Sequence, residues 1–142
     1  TTLVFGSAIF IIVKNHLFTN VKGFVQSQGG KKEWKVEMKD CQSGFDAVPQ
    51  FYGVHISEKN KNGTRLQMQK LIDEETVVLL WPSQSNKSIR LDKNACQIFE
   101  LQQEWQNVWV NKVQSIRGSL RMDCQLPTKE RIQGSVVFEN CH

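Results

Sequence analysis

The stretch from residue 118 to residue 141, "GSLRMDCQLPTKERIQGSVVFENC", has the pattern of an antiparallel hairpin. Leu120, Met122 and Cys124 alternate with polar residues before the turn, and Val136 and Phe138 alternate after it. Alternation with a period of two places the apolar side chains on one face of a strand. The intervening "LPTKER" contains a proline and three charged residues, which is typical of a turn. The stretch therefore predicts two half-buried strands that pair with each other.

Segments before this hairpin show the same kind of pattern. Trp34, Val36 and Met38 alternate with charged residues and predict a half-buried strand. Residues 76–82, "TVVLLWP", are continuously apolar up to a proline, which favours a central strand. The stretch 101–118 fits either a helical turn or an irregular strand. We favour a strand, because the hairpin follows directly.

An Asn-Gly step at residues 62–63 separates two further strand-like runs, "PQFYGVHIS" and "TRLQMQKLI". Asn-Gly is a strong signal for a tight hairpin turn, because both residues tolerate positive φ angles. The runs on either side of this step are therefore predicted to pair. The chain from residue 30 to residue 142 is thus predicted to form one curled, mainly antiparallel sheet.

The first 29 residues have a different pattern. Residues 3–13 are almost entirely apolar, and Phe10, Val13, Leu17, Val21 and Phe24 then follow in steps of three and four. That spacing places side chains along one face of an α-helix, which should end at the double glycine of residues 29–30. The predicted fold class is therefore α+β, with one long N-terminal helix ahead of the sheet.

The apolar part of this helix has at most 13 residues, whereas a helix that spans a bilayer needs about 20. It could be a signal peptide, a buried core helix, or the membrane or assembly stem of an exported protein. We expect a retained stem, with residues 1–29 as the stem and residues 30–142 as the exported β domain. The residues assigned to its membrane or assembly surface are Leu3, Val4, Phe5, Ile9, Phe10, Ile12, Val13 and Leu17.

The four cysteines, Cys41, Cys96, Cys124 and Cys141, are even in number and widely spaced. No CxxC pair occurs and the chain has only three histidines, so a zinc site is disfavoured and two disulfides are favoured. Disulfides persist in oxidising compartments, which agrees with export. Three pairings are open. We favour Cys41–Cys96 and Cys124–Cys141, because each closes a contiguous stretch of chain.

Composition and motifs indicate a non-enzymatic protein. The net charge of +4 is mild and its lysines and arginines are scattered, which disfavours nucleic-acid binding. No nucleophile elbow, phosphate loop or calcium loop occurs, and His55 lies within a strand pattern. We therefore assign no catalytic residue, metal site or cofactor. Trp105 and Trp109 lie among polar residues and are predicted interface anchors, because exposed tryptophan is common at binding hot spots.

The order of an apolar N-terminus, an amphipathic helix, a sheet and a C-terminal cysteine pair resembles type IV pilins and pseudopilins of bacteria. In that family the helices pack in the core of a filament, the sheet domains face outward, and a C-terminal disulfide loop shapes the surface. The resemblance implies that residues 1–13 form the assembly stem and that Cys124 pairs with Cys141.

Two functions are consistent with these observations. The first is a structural subunit of a surface filament or envelope complex, anchored in the membrane by its helix and exposed to the periplasm or cell surface. Its partners would be other protein subunits and the membrane. The alternative is a secreted β domain that binds an apolar ligand or a protein partner.

Overall fold

The computed structural model describes residues 19–59, 62–70 and 75–142. Within these ranges the chain forms ten strands and one short 3-10 helix, Gly44–Asp46. The strands are β1 Asn20–Gln28, β2 Trp34–Glu37, β3 Asp40–Ser43, β4 Gly53–Ser57, β5 Arg65–Lys70, β6 Thr76–Trp81, β7 Ile89–Leu91, β8 Cys96–Val110, β9 Val113–Gln125 and β10 Arg131–Cys141.

The strands form two five-stranded antiparallel sheets. The first sheet has the order β2-β1-β10-β9-β8, and the second has the order β3-β4-β5-β6-β7. Neighbours in each sheet are consecutive in the chain, except that β1 lies beside β10. The predicted hairpins β4–β5 and β9–β10 are confirmed, and β6 is a central strand as its apolar run indicated.

Side chains from both sheets form one core. Leu120, Met122 and Phe138 face inward from the first sheet, whereas Ile56 and Leu80 face inward from the second. All of them are almost completely buried, as alternation predicts for Leu120, Met122 and Phe138. The two sheets are therefore the layers of a sandwich around one hydrophobic core.

The predicted helix is wrong for residues 20–28, which form β1 instead. β1 pairs with β10 along its whole length, from Asn20 opposite Glu139 to Gln28 opposite Arg131. Val21 and Val25 are four residues apart, a spacing that fits one face of a strand as well as one face of a helix. Phe24 lies on the other face, where the ammonium group of Lys35 sits 4.6 Å from its ring centre. Pairing with β10 therefore decides the conformation of this segment.

The predicted α+β fold class is also wrong. The described residues form an all-β protein without an α-helix, and they form two sheets rather than one curled sheet. The residues that were assigned to the stem surface, from Leu3 to Leu17, lie outside the described ranges. No helix within residues 19–59, 62–70 and 75–142 is long and apolar enough to cross a bilayer.

Two glycines allow neighbouring strands to come close. Gly23 in β1 has a φ of +142°, and a Cβ atom there would lie 2.0 Å from the carbonyl oxygen of Ser135. Gly53 at the start of β4 has a φ of +154°, and a Cβ atom there would lie 1.8 Å from the carbonyl oxygen of Met68. Both positions therefore require glycine, for backbone conformation and for space.

The prediction of two disulfides is confirmed, but the favoured pairing is wrong. Cys41 on β3 bonds to Cys141 at the end of β10, which links the two sheets. Cys96 bonds to Cys124, the residue directly opposite it on β9. The pairs close 100 and 28 residues of chain, respectively. Packing of the two sheets brings Cys41 to Cys141, whereas pairing of β8 with β9 brings Cys96 to Cys124.

Candidate protein interface

Trp105 and Trp109 lie on β8, an edge strand of the first sheet. β8 has 15 residues, whereas the strands of the second sheet have three to six. The first sheet therefore extends beyond the second, and part of its inner face is not covered by the opposite layer. Trp105 and Trp109 are 40% and 63% exposed there, respectively.

Both tryptophans lie on the face of the first sheet that continues from the core. Phe99 and Leu101 pack against the core from this face, and Trp105 has the same position in the alternation. Trp105 is opposite Ile116, and Trp109 is opposite Gln114, two residues along β9. Residues two apart on a strand share a face, so both tryptophans lie on the uncovered part of the inner face.

Two further aromatic rings, from the connection between β3 and β4, contact Trp105. The ring centres of Phe45 and Tyr52 lie 5.5 Å and 5.9 Å from that of Trp105, and 5.9 Å from each other. Tyr52 meets both rings in edge-to-face geometry, which is favourable between aromatic side chains. We call Phe45, Tyr52, Trp105 and Trp109 the aromatic surface. Its first three members are 40–46% exposed, although they pack on one another.

Hydrogen bonds fix the chain that carries Phe45 and Tyr52. The backbone N–H of Phe45 donates to Oγ of Ser43 at 3.3 Å, and its carbonyl accepts from the side chain of Gln50 at 2.8 Å. The carbonyl of Tyr52 accepts from the backbone N–H of Lys70 at 3.0 Å. The Cys41–Cys141 disulfide ties the preceding strand to β10. These bonds fix the backbone from which the two rings reach Trp105.

A bulge in β8 lies between Trp105 and Trp109, where three residues of β8, 106–108, face the single residue Ser115 of β9. The side chain of Gln106 binds Asn140 twice: its Nε2 donates to Oδ1 at 3.1 Å, and its Oε1 accepts from the backbone N–H at 2.7 Å. Asn140 has a φ of +56° and lies in a matching irregularity of β10. The side chain of Gln114 donates to the carbonyl of Gln106 at 3.0 Å. The bulge is therefore a defined structure that sets the positions of both tryptophans.

The other two tryptophans, Trp34 and Trp81, do not belong to the aromatic surface. Trp34 packs against the core and lines a cleft of about 550 Å³ at the end of the molecule that carries the β9–β10 turn. Trp81 lies on the outer face of the second sheet, with the guanidinium carbon of Arg65 5.1 Å from its ring centre. That face has a groove of about 580 Å³ lined by His55 and Arg65.

Few groups among the described residues are arranged for metal binding or acid–base chemistry. No group of three or more His, Cys, Asp or Glu side chains gathers among residues 19–59, 62–70 and 75–142 in a way that could hold a metal ion. The pKa of His55 is lowered from its ordinary value, mainly by burial and also by the charge of Arg65. The aromatic surface is therefore the main candidate for a functional site in this part of the chain.

Comparisons of the chain with protein-family models, with curated proteins and with solved structures found no match. The predicted resemblance to type IV pilins and pseudopilins is wrong. Residues 20–28 of the expected stem form strand β1, and no family model supports the resemblance. The disulfide loop that the resemblance implied, Cys124–Cys141, is also replaced by the two pairs described above.

Proposed function

We propose that this protein is a non-enzymatic binding module that recognises a partner protein through its aromatic surface. The observation that carries the proposal is the set of three interlocked, exposed rings of Phe45, Tyr52 and Trp105, with Trp109 on the same face. Tryptophan and tyrosine are enriched at the hot spots of protein interfaces. They bury a large apolar area and lose little rotamer freedom when they bind.

The rigidity of the surface supports this proposal. Phe45 and Tyr52 are held by backbone hydrogen bonds, and the bulge beside Trp105 is held by Gln106 and Asn140. A side chain that is already ordered in the free protein loses less entropy on binding. The aromatic surface is therefore suited to docking with little rearrangement.

The position of the surface also supports a protein partner. It continues the inner face of the first sheet, which elsewhere is covered by the second sheet. A partner that packs on Trp105 and Trp109 would extend the apolar layer past the end of the second sheet. The shallow hollow beside Tyr52 and Trp105 has only about 20 Å³, which is far too small for an organic ligand. The surface is therefore suited to a partner with a broad contact area.

The proposed location is an oxidising compartment outside the cytoplasm. Two disulfides, one of which links the two sheets, are typical of exported proteins. Membrane anchoring through residues 3–17, and assembly with further subunits, remain predictions from the sequence, since that segment lies outside the described residues.

The proposal can be tested by crosslinking followed by affinity measurements. A photoreactive phenylalanine analogue at position 109 of the full chain, in native cells, should crosslink to a partner that mass spectrometry can identify. With the purified pair, Trp105→Ala should weaken binding by about thirtyfold or more in calorimetry, since hot-spot truncations cost about 2 kcal/mol or more.

Val137→Ala is the matched control for this experiment. Val137 is 60% exposed on β10, and its neighbour Phe138 is buried, so Val137 lies on the opposite face of the first sheet. This variant should bind the partner as the wild type does. Equal affinities for the Trp105 and Val137 variants would contradict the proposal. Crosslinking only to a second copy of this chain would contradict a separate partner and favour self-assembly.

A further inference from the structure

The cleft at the end of the molecule that carries the β9–β10 turn has two kinds of lining. Its apolar lining includes Trp34, Val36, Ile89 and Pro82, from both sheets and the loop after β6. The first three are half-buried and pack against the core, so the cleft is an open extension of the hydrophobic interior. Its volume of about 550 Å³ is within the usual range for small-molecule sites.

Two lysines from the loop between β1 and β2 stand at the rim of this cleft. Lys31 and Lys32 are exposed and line the cleft, and neither forms an ion pair with another described residue. The single carboxylate in the lining belongs to Glu130, which accepts a hydrogen bond from the hydroxyl of Ser27. The rim therefore carries an excess of positive charge next to an apolar floor.

We propose that this cleft binds one amphipathic anion, a single acyl chain that ends in a carboxylate. The chain would lie on Trp34, Val36 and Ile89, and the carboxylate would lie between the ammonium groups of Lys31 and Lys32. An apolar floor alone would accept any hydrophobic molecule, whereas the paired lysines favour a negative end group. The site is separate from the aromatic surface, which lies at the opposite end of the first sheet.

Three ligands that share a twelve-carbon chain but differ in their end group separate the contribution of charge to the affinity from that of the apolar chain. Dodecanoate, dodecanol and dodecyltrimethylammonium are titrated into the full chain below their micelle concentrations, and calorimetry and tryptophan fluorescence report binding. We expect dodecanoate to bind one to one and at least about tenfold more tightly than dodecanol. The cationic ligand should bind most weakly. Shortening the carboxylate by two methylenes should weaken binding by about tenfold.

Variants assign the effect to the two lysines. The double variant Lys31→Gln/Lys32→Gln should lose the preference for dodecanoate over dodecanol, while its affinity for dodecanol stays unchanged. Both lysines are exposed in a loop, so this variant should fold normally. The control is Lys22→Gln/Lys70→Gln, which removes two exposed lysines that do not line the cleft. This control should behave as the wild type does.

Trp34→Phe tests whether the acyl chain lies on Trp34. This variant keeps an aromatic ring in the cleft but removes the indole fluorophore. The ligand-dependent fluorescence change should disappear, while calorimetry should still detect dodecanoate. Equal affinity for dodecanoate and dodecanol in the wild type would overturn the proposal. So would several molecules bound per chain, a lysine double variant that retains the preference, or binding only to anionic vesicles and not to the dispersed fatty acid.

Discussion

His55, on the outer face of the second sheet, is a single residue whose protonation makes the stability of the fold depend on pH. It lies on β4 between the buried residues Val54 and Ile56, and it faces Gln42 on one side and Gln67 on the other. Burial is the larger cause of its lowered pKa, and the neighbouring guanidinium of Arg65 adds to it. The other charged side chain in this groove is Asp46, which lies beside Gln42. Burial and the charge of Arg65 therefore both favour the neutral form of His55 in the folded protein.

The lowered pKa predicts a loss of stability in mild acid. The unfolded chain binds a proton at His55 as the pH falls through about 6.5, whereas the folded protein binds it only at lower pH. Neutral His55 therefore contributes stability that is fully present above the pKa of the unfolded chain. This stability is lost as the pH falls through the lower pKa of His55 in the folded protein. Urea unfolding at pH 7.5 and pH 5.0 should show a larger loss for the wild type than for His55→Gln.

Arg65→Gln provides the companion measurement. This substitution should raise the pKa of His55 in an NMR titration, but not to its ordinary value, because burial is the larger cause. An unchanged pKa in this variant would contradict the role given to Arg65. An equal loss of stability for the wild type and His55→Gln would contradict the role given to His55.

At the scale of the strands, local sequence patterns did not predict the bulge in β8 or the shift of register in β10 that lies beside it. The stretch 101–118 looked ambiguous because its apolar residues follow neither period completely. The structure explains this by a bulge after Trp105, which shifts the pairing of β8 against β9. The partner that stabilises the bulge is Asn140, 34 residues away in the chain. No local pattern could identify that contact.

The contact between Gln106 and Asn140 predicts a measurable effect on stability. Gln106→Ala would remove both hydrogen bonds between the Gln106 side chain and Asn140, a residue that is only 7% exposed. Loss of such a partner costs about 1–3 kcal/mol, which urea unfolding can measure. The control is Asn107→Ala, at an exposed position in the same bulge, which should change stability by about 0.5 kcal/mol or less. Equal losses in both variants would show that the bulge, and not this contact, is responsible.

At the scale of the whole molecule, the disulfides join parts of the fold that are distant in sequence. Cys41–Cys141 links the first strand of the second sheet to the last strand of the first sheet. Cys96–Cys124 joins β8 to β9 near the end that carries the β9–β10 turn. Peptide mapping without reduction should therefore find these two crosslinks. A crosslink between Cys41 and Cys96 would contradict the structure.

The two disulfides should differ in their effect on stability. In the chain-entropy model, the 100-residue loop is worth about 5 kcal/mol and the 28-residue loop about 4 kcal/mol. The double variant Cys41→Ser/Cys141→Ser should therefore lose more stability in urea unfolding than Cys96→Ser/Cys124→Ser. Loss of the link between the sheets is an additional reason for this order. The opposite order would show that the shorter bridge has the more important structural role.

The sequence by itself determined the local structure of much of the chain. Alternation specified β2, β9 and β10 and the buried positions Leu120, Met122 and Phe138, because a strand exposes successive side chains to opposite faces. The Asn-Gly step indicated the pairing of β4 with β5, although this pairing ends at Ser57 opposite Arg65, so the connection is longer than a two-residue turn. The number of cysteines and their spacing indicated two disulfides. Each of these features depends on residues that are close together in the chain.

Only the tertiary structure decided the features that depend on distant partners. Residues 20–28 became a strand because β10 supplies hydrogen-bonding partners along their whole length. Cysteine pairing followed from the arrangement of the strands, not from the length of the intervening chain. The exposure of Trp105 and Trp109 could be anticipated from their polar neighbours, but their shared face and the rings of Phe45 and Tyr52 could not. The shared face and the ring contacts depend on how the longer first sheet packs against the shorter second sheet. Residues that are close together in the sequence carry no signal for this packing.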